Sequence, residues 1–144
     1  MLTRCRLAYL STVDVDQSSS HLSLMRYTYI PEEEVIVMST NTKTKKFTML
    51  EKQTGVALLV HDFAQFGDDD DNGGGNSGAG GGEQQTYSIT LNGMCHIVGT
   101  GPDAERYRAA HLKANPQYPQ FIVGEDIAML CVDVQQARIC DIHD

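Results

Sequence analysis

A chain of 144 residues with 41% hydrophobic content is long enough for one domain built around one core. A formal net charge of -8 and a pI near 4.9 exclude a broadly basic nucleic-acid surface and leave room only for a local anion site. No run approaches the ~20 apolar residues of a membrane-spanning helix and no charged-then-apolar leader opens the chain, so a cytoplasmic protein is expected, with neither membrane nor nucleic acid as partner.

Taken in order, Leu7 to Val13 predicts an opening strand, and Asp14 to Ser20 a polar turn. His21 to Ile30 alternates, with Leu22, Leu24 and Arg26 on one face and Ser23, Met25 and Tyr27 on the other, so a single strand is expected there. Pro31 and Glu32 to Glu34 break the pattern. Val35 to Met38 is a β-branched and apolar run that reads as a buried strand. It stops at Ser39 to Thr42, small hydroxyl and amide residues that favour turns and helix N-caps because their side chains satisfy free backbone N–H groups.

A short helix is predicted next, with Phe47 and Leu50 on its inner face and Lys43, Lys45 and Lys46 crowded into its first turn. That is the wrong end for cations, since a helix N-terminus already carries partial positive charge. Two readings stay open from these residues: a solvated basic face, or a strand–turn–helix junction that holds an anion such as phosphate.

Gly55 is placed to cap that helix, and Val56 to His61 is a strong buried-strand signal. Gly67 to Gly82 holds four consecutive aspartates and eight of the 13 glycines, so it has almost nothing to pack. It reads as a disordered loop insertion, over 67–85, inside a single domain spanning 1–144. Consecutive aspartates lack the alternating spacing of a calcium loop, so no metal is expected.

The fold resumes at Thr86 and alternates through Val98, and Gly93 inside that strand predicts a bulge or a close approach by another group. Pro102, Asp103 and Glu105 mark a helix start, and Asn115-Pro116 its end. Ile127 to Val134 and Ala137 to Ile142 read as a closing hairpin across Gln135-Gln136. The tally is about seven strands and two helices, with strands in runs, which predicts a mainly β fold: an antiparallel barrel with helices packed outside.

Cys5, Cys95, Cys131 and Cys140 form no C-x-x-C pair and read as reduced thiols, the last three as small buried hydrophobes. His61-Asp62 and His111 read as structural, because nothing pairs them with a nucleophile. Tyr9, Tyr27 and Tyr29 are expected in the core or an interface. No catalytic acid, base or nucleophile stands out, so any redox chemistry would belong to a cofactor.

Four stretches together carry a likeness. They are Ala8-Tyr-Leu-Ser-Thr-Val13 with His21-Leu-Ser-Leu-Met25; Met38-Ser-Thr-Asn-Thr-Lys-Thr-Lys-Lys46; Gly55 to His61; and Ile89-Thr-Leu-Asn-Gly-Met-Cys-His-Ile-Val98 with the Pro102 helix and Ala137-Arg-Ile-Cys-Asp141. In this order the sequence resembles the pyridoxamine 5'-phosphate oxidase-like family of FMN-binding split β-barrels. The resemblance implies a homodimer with FMN at the subunit interface. It matches Thr44, Lys45 and Lys46 to the phosphate-holding positions and Ser39 and Thr40 to the strand end along the flavin, with Ser23 and Met25 on the neighbouring strand beside the ring. The oxidase's C-terminal substrate-binding segment, with its Arg and His, has no counterpart beyond His143-Asp144. The expectation is therefore an FMN-dependent oxidoreductase acting on an unknown small molecule, not a vitamin B6 oxidase. The alternatives are a flavin- or ligand-binding dimer without turnover, and a relative that has lost the cofactor.

Overall fold

The structure is a computed structural model that describes residues 1–63 and 87–141. The Gly/Asp-rich insertion at 67–85 and the terminal His143-Asp144 lie outside the described residues. Seven strands form one antiparallel sheet: β1 (Leu7–Asp14), β2 (Ser19–Arg26), β3 (Thr28–Ile30), β4 (Val35–Asn41), β5 (Gly55–His61), β6 (Tyr87–Val98) and β7 (Ile127–Asp141). Two helices, α1 (Lys45–Lys52) and α2 (Pro102–Ala114), pack against it, with a single 3-10 turn at Pro119–Phe121. The mainly β architecture is the one the strand runs predict.

The strand order is β2-β1-β5-β6-β7-β4-β3, so the two edge strands are neighbours in sequence, separated only by Tyr27. A sheet whose edges are joined by one residue must curl until they meet, and the result is a split half-barrel. Tyr27 is the pivot. It is fully buried, its N–H donates to the Arg6 carbonyl at 3.0 Å, and its hydroxyl donates to the Leu2 carbonyl at 2.9 Å. The single strand expected over His21 to Ile30 is thus two, because the chain changes partner there from β1 to β4.

The expected closing hairpin is corrected in the opposite sense. β7 runs unbroken past Gln135-Gln136, pairing along the whole of β6. No residue there supplies the backbone of a tight turn, and the 12-residue β6 offers a partner for both halves. Gln135 is instead the extra residue of a bulge, with Asn92 opposite Gln136 and Gly93 opposite Val134. The seven-strand tally therefore survives by one split and one merger.

Gly55 is not a helix cap either. α1 ends on Gln53, whose N–H bonds to the Met49 carbonyl, and Gly55 already pairs with Met94. Cys95 and Cys131 are buried, whereas Cys140 is exposed because β7 there runs beyond the last β4 pair at Asp133. Inward-facing Ala8, Leu10, Met25, Tyr27, Ile36, Met38, Leu58, Leu91, Leu130 and Val132 fill the core, with Leu50 of α1 against them. The outer face of β2, β1 and β5 is apolar too: Leu22 and Leu24 stand 68% and 58% exposed, beside Tyr9 and Leu59. Among the described residues no helix is long and apolar enough to cross a membrane, and no three His, Cys, Asp or Glu side chains gather as a metal site.

Candidate functional site

The junction between β4 and α1 is built by its own side chains. Asn41 Oδ1 accepts the Lys43 N–H at 2.8 Å, and the Asn41 carbonyl accepts both the N–H and the hydroxyl of Thr44. Thr44 is the N-cap of α1, and its Oγ1 accepts the Phe47 N–H at 3.3 Å. The first turn of a helix has no acceptors of its own, so the N–H groups of Lys45 and Lys46 are left over. These groups, with the helix dipole behind them, favour an anion.

The three lysines of this turn diverge. Lys43 pairs with Asp126 at 3.2 Å and Lys45 with Asp14 at 3.5 Å, on the far side of the helix. Only Lys46 turns inward, with Nζ 3.0 Å from Met25 Sδ and no carboxylate partner among the described residues. Burial without a countercharge holds its pKa below the usual lysine value. The surplus of positive charge read from the sequence thus reduces to one half-buried ammonium group.

Lys46 lines a cavity of about 620 Å³ between β2, the end of β4, α1, α2 and the chain around the 3-10 turn. That is an ordinary size for a small-molecule site. Of the residues singled out from sequence, Met25, Ser39, Thr40, Thr44 and Lys46 converge on it. Lys45 and Ser23 do not: Lys45 faces Asp14, and Ser23 sits opposite Leu10 in the β1–β2 ladder. The Ser39 hydroxyl donates to the Phe121 carbonyl at 2.8 Å, which fastens the 3-10 turn over the cavity. Arg108 helps hold the same segment through the carbonyls of Ile122 and Ile127.

Arg26, His111 and Tyr118, none of which the sequence reading assigned to the site, also line the cavity. Arg26 lies 3.8 Å over the Tyr118 ring, a cation–π contact, and has no carboxylate partner among the described residues. Its signal was present in the alternation of β2, but it shares a face with leucines. His111 is 1% exposed, with Nδ1 2.8 Å from Thr28 Oγ1. Burial first, and the Arg26 charge second, push it down to about 4. His61 stacks on Tyr9 outside this cavity, with ring centroids 5.9 Å apart.

The buried imidazole has a consequence for acid stability. Its folded pKa of about 4 lies below the ordinary 6.5, so the unfolded chain takes up the proton first as pH falls. Stability is therefore lost between those two values, by up to about 1.4 kcal/mol per pH unit. Urea unfolding at neutral pH and near the lower pKa should show His111→Gln losing less on acidification than the parent. Equal losses would place the acid sensitivity elsewhere.

The sequence matches the family model described as pyridoxamine 5'-phosphate oxidase over residues 1–141. A pyridoxamine 5'-phosphate oxidase homolog of Schizosaccharomyces pombe is 30% identical over 156 residues, covering 97% of this chain and 81% of the relative. Among solved structures, an FAD-binding protein of Mesorhizobium loti superposes with a TM-score of 0.70 at 11% identity, covering 96% of this chain and 87% of its own. A heme storage protein of Vibrio cholerae superposes with a TM-score of 0.63 at 13% identity, covering 97% of this chain and 88% of its own. At such identities the likeness of these two is one of fold.

Proposed function

Because the chain belongs to the pyridoxamine 5'-phosphate oxidase family, we propose that it binds FMN in the cavity above α1 and works as a flavin-dependent oxidoreductase on a small molecule. The observation that carries this reading is Lys46: a half-buried cation without a carboxylate partner among the described residues, beside two spare helix N–H groups, in a cavity of ligand size. That donor set fits a phosphate monoester. Lys46 and the α1 N-terminus would neutralise the phosphate, while Thr44 holds the first turn in the shape that presents those N–H groups. Met25 and Leu24 on one side, and Phe121 and Ile122 on the other, supply the apolar walls that a flat ring requires. When bound, FMN supplies the hydride-transfer chemistry, and the protein's part is to hold, orient and shield it.

An absorbance spectrum of the freshly purified protein, repeated after adding FMN, tests the reading. Flavin bands that shift on binding and bleach with NADPH or NADH are expected. A Soret band with no flavin uptake would show a heme protein and overturn it.

We further propose a homodimer. The exposed Tyr9, Leu22, Leu24 and Leu59 make an apolar face continuous with the cavity, since Leu24 belongs to both. A second copy placed there would cover that face and extend the cavity wall. Light scattering should return about twice the 15.8 kDa chain mass, and Leu22→Glu/Leu24→Glu should return the monomer. A parent protein that is monomeric yet binds FMN tightly would refute the interface site.

A further inference from the structure

Met25 Sδ lies 3.0 Å from Lys46 Nζ, and both side chains line the cavity. Strand and helix impose this meeting: Met25 faces inward from β2 opposite Ala8, and Lys46 turns toward it from the first turn of α1. A thioether is a weak acceptor, so an ammonium group with three donors is poorly served by it. Burial without a countercharge already holds the Lys46 pKa below its usual value. The sulfur is also within reach of a small solute, because the cavity opens onto it. Met38 and Met129 are fully buried, and Met49 sits on the Asp14 side of α1. Met1 and Met94 are more open, but away from the cavity. Among the described residues Met25 is the only methionine whose sulfur enters a hydrogen bond.

We propose that Met25 is an oxidative modification site that weakens the anion site beside it: hydrogen peroxide converts the thioether to the sulfoxide, whose oxygen captures the Lys46 ammonium group in place of a ligand's phosphate. A sulfur lone pair attacks one peroxide oxygen, an S–O bond forms, the O–O bond breaks, and the other oxygen leaves as water with both protons. Methionine is oxidised by two electrons and peroxide is reduced by two. The new oxygen is polar where the sulfur was soft, so it accepts a hydrogen bond far better. It is added to a sulfur that already faces Nζ, on a side chain with three rotatable bonds, so no backbone has to move. An ammonium group held this way has less to give a phosphate. This deepens the flavin reading by giving its phosphate site a control. The loss of FMN affinity rests on that reading, whereas the capture of Lys46 does not.

Treating the full-length protein with dilute hydrogen peroxide tests both parts. Peptide mass spectrometry should find an added oxygen on Met25, with Met38 and Met129 untouched. FMN affinity should then fall about tenfold, the loss of one charge-assisted contact, while riboflavin, which has no phosphate, loses much less. Acylation of Lys46 by acetic anhydride, followed on the same peptides, should slow about tenfold, the equivalent of one pKa unit. Met25→Leu keeps the volume without the sulfur and should show neither response to peroxide. A Met25 that stays a thioether, equal losses for both flavins, unchanged acylation of Lys46, or the same losses in Met25→Leu would overturn the proposal. Slowed acylation in a protein that never takes up FMN would sink the flavin reading and leave the capture of Lys46 standing.

Discussion

Lys46→Glu should lower FMN affinity at least a hundredfold and leave riboflavin binding nearly unchanged, whereas Lys45→Glu should leave both nearly unchanged. The two lysines are adjacent in sequence and chemically identical, so only their placement separates them. Lys46 faces the cavity beside Met25, and Lys45 reaches Asp14 on the other side of α1. A charge-assisted contact to phosphate, partly shielded from water, contributes roughly 1.5–3 kcal/mol. Reversing the charge removes that attraction and adds a repulsion, and two factors of ten correspond to about 2.8 kcal/mol. Riboflavin lacks the phosphate and should not register the change. Lys45→Glu brings a carboxylate toward Asp14, which costs some stability, but leaves the cavity charge and both helix N–H groups as they were. Fluorescence-quenching titrations of the two flavins on parent and both variants give the answer. Equal losses for both flavins with Lys46→Glu would mean the substitution distorts the fold, and a larger loss from Lys45→Glu would move the phosphate to the other face of the helix.

This pair of residues also marks where sequence reasoning stops. The hydroxyl–lysine pattern from Ser39 to Lys46 locates a strand–turn–helix junction, because strand propensity, turn chemistry and capping all act locally. Which lysine faces inward is decided by consecutive helix residues standing ~100° apart and by what packs around them. Asp14 at the end of β1 and Asp126 in the turn before β7, which neutralise Lys45 and Lys43, come from distant parts of the chain whose approach no local pattern encodes. Arg26 was hidden for a related reason. The alternation of β2 is real, but the curled sheet buries Met25 and Tyr27 and leaves Leu22 and Leu24 outside, so apolar character did not mark the inner face. His111 read as a helix histidine because its partners Thr28 and Arg26 lie 83 or more residues away.

Strand count fared well for accidental reasons, since the break at Tyr27 and the continuity at Gln135 cancel. Both depend on pairing partners: Tyr27 ends β2 because the edges of the sheet must meet, and β7 continues because β6 runs alongside it. By contrast, β5, β6 and α2 were legible nearly to the residue. Each carries its own signal, an unbroken apolar run, a long alternation, and Pro102 with Asp103 and Glu105 at a helix start.

Gly93, where the sequence predicts a bulge or a close approach, yields the largest expected effect on stability. Gly93 is buried in β6 opposite Val134, where the β6–β7 register shifts. A Cβ there would lie 2.2 Å from the Asp133 carbonyl oxygen and 3.1 Å from Val132 Cγ1. The first of these is backbone, so relief requires the two strands to part at the centre of the sheet. Overpacking of that kind costs about 1–3 kcal/mol, with more expected when a ladder opens as well. For a chain of this size Gly93→Ala should lower the melting temperature by about 3–12 °C. Gly55→Ala is the control: its Cβ meets nothing within 4 Å, and its φ is not in the left-handed region. There the loss of unfolded-state freedom should dominate, giving a gain of about 0.4–1 kcal/mol. Both substitutions change the unfolded chain in the same way, so the gap between them isolates the contact with Asp133. Thermal melts of the two variants measure it directly. Equal melting temperatures would remove the close β6–β7 approach, and a large loss at Gly55 would restore the helix-cap role that its pairing with Met94 denies.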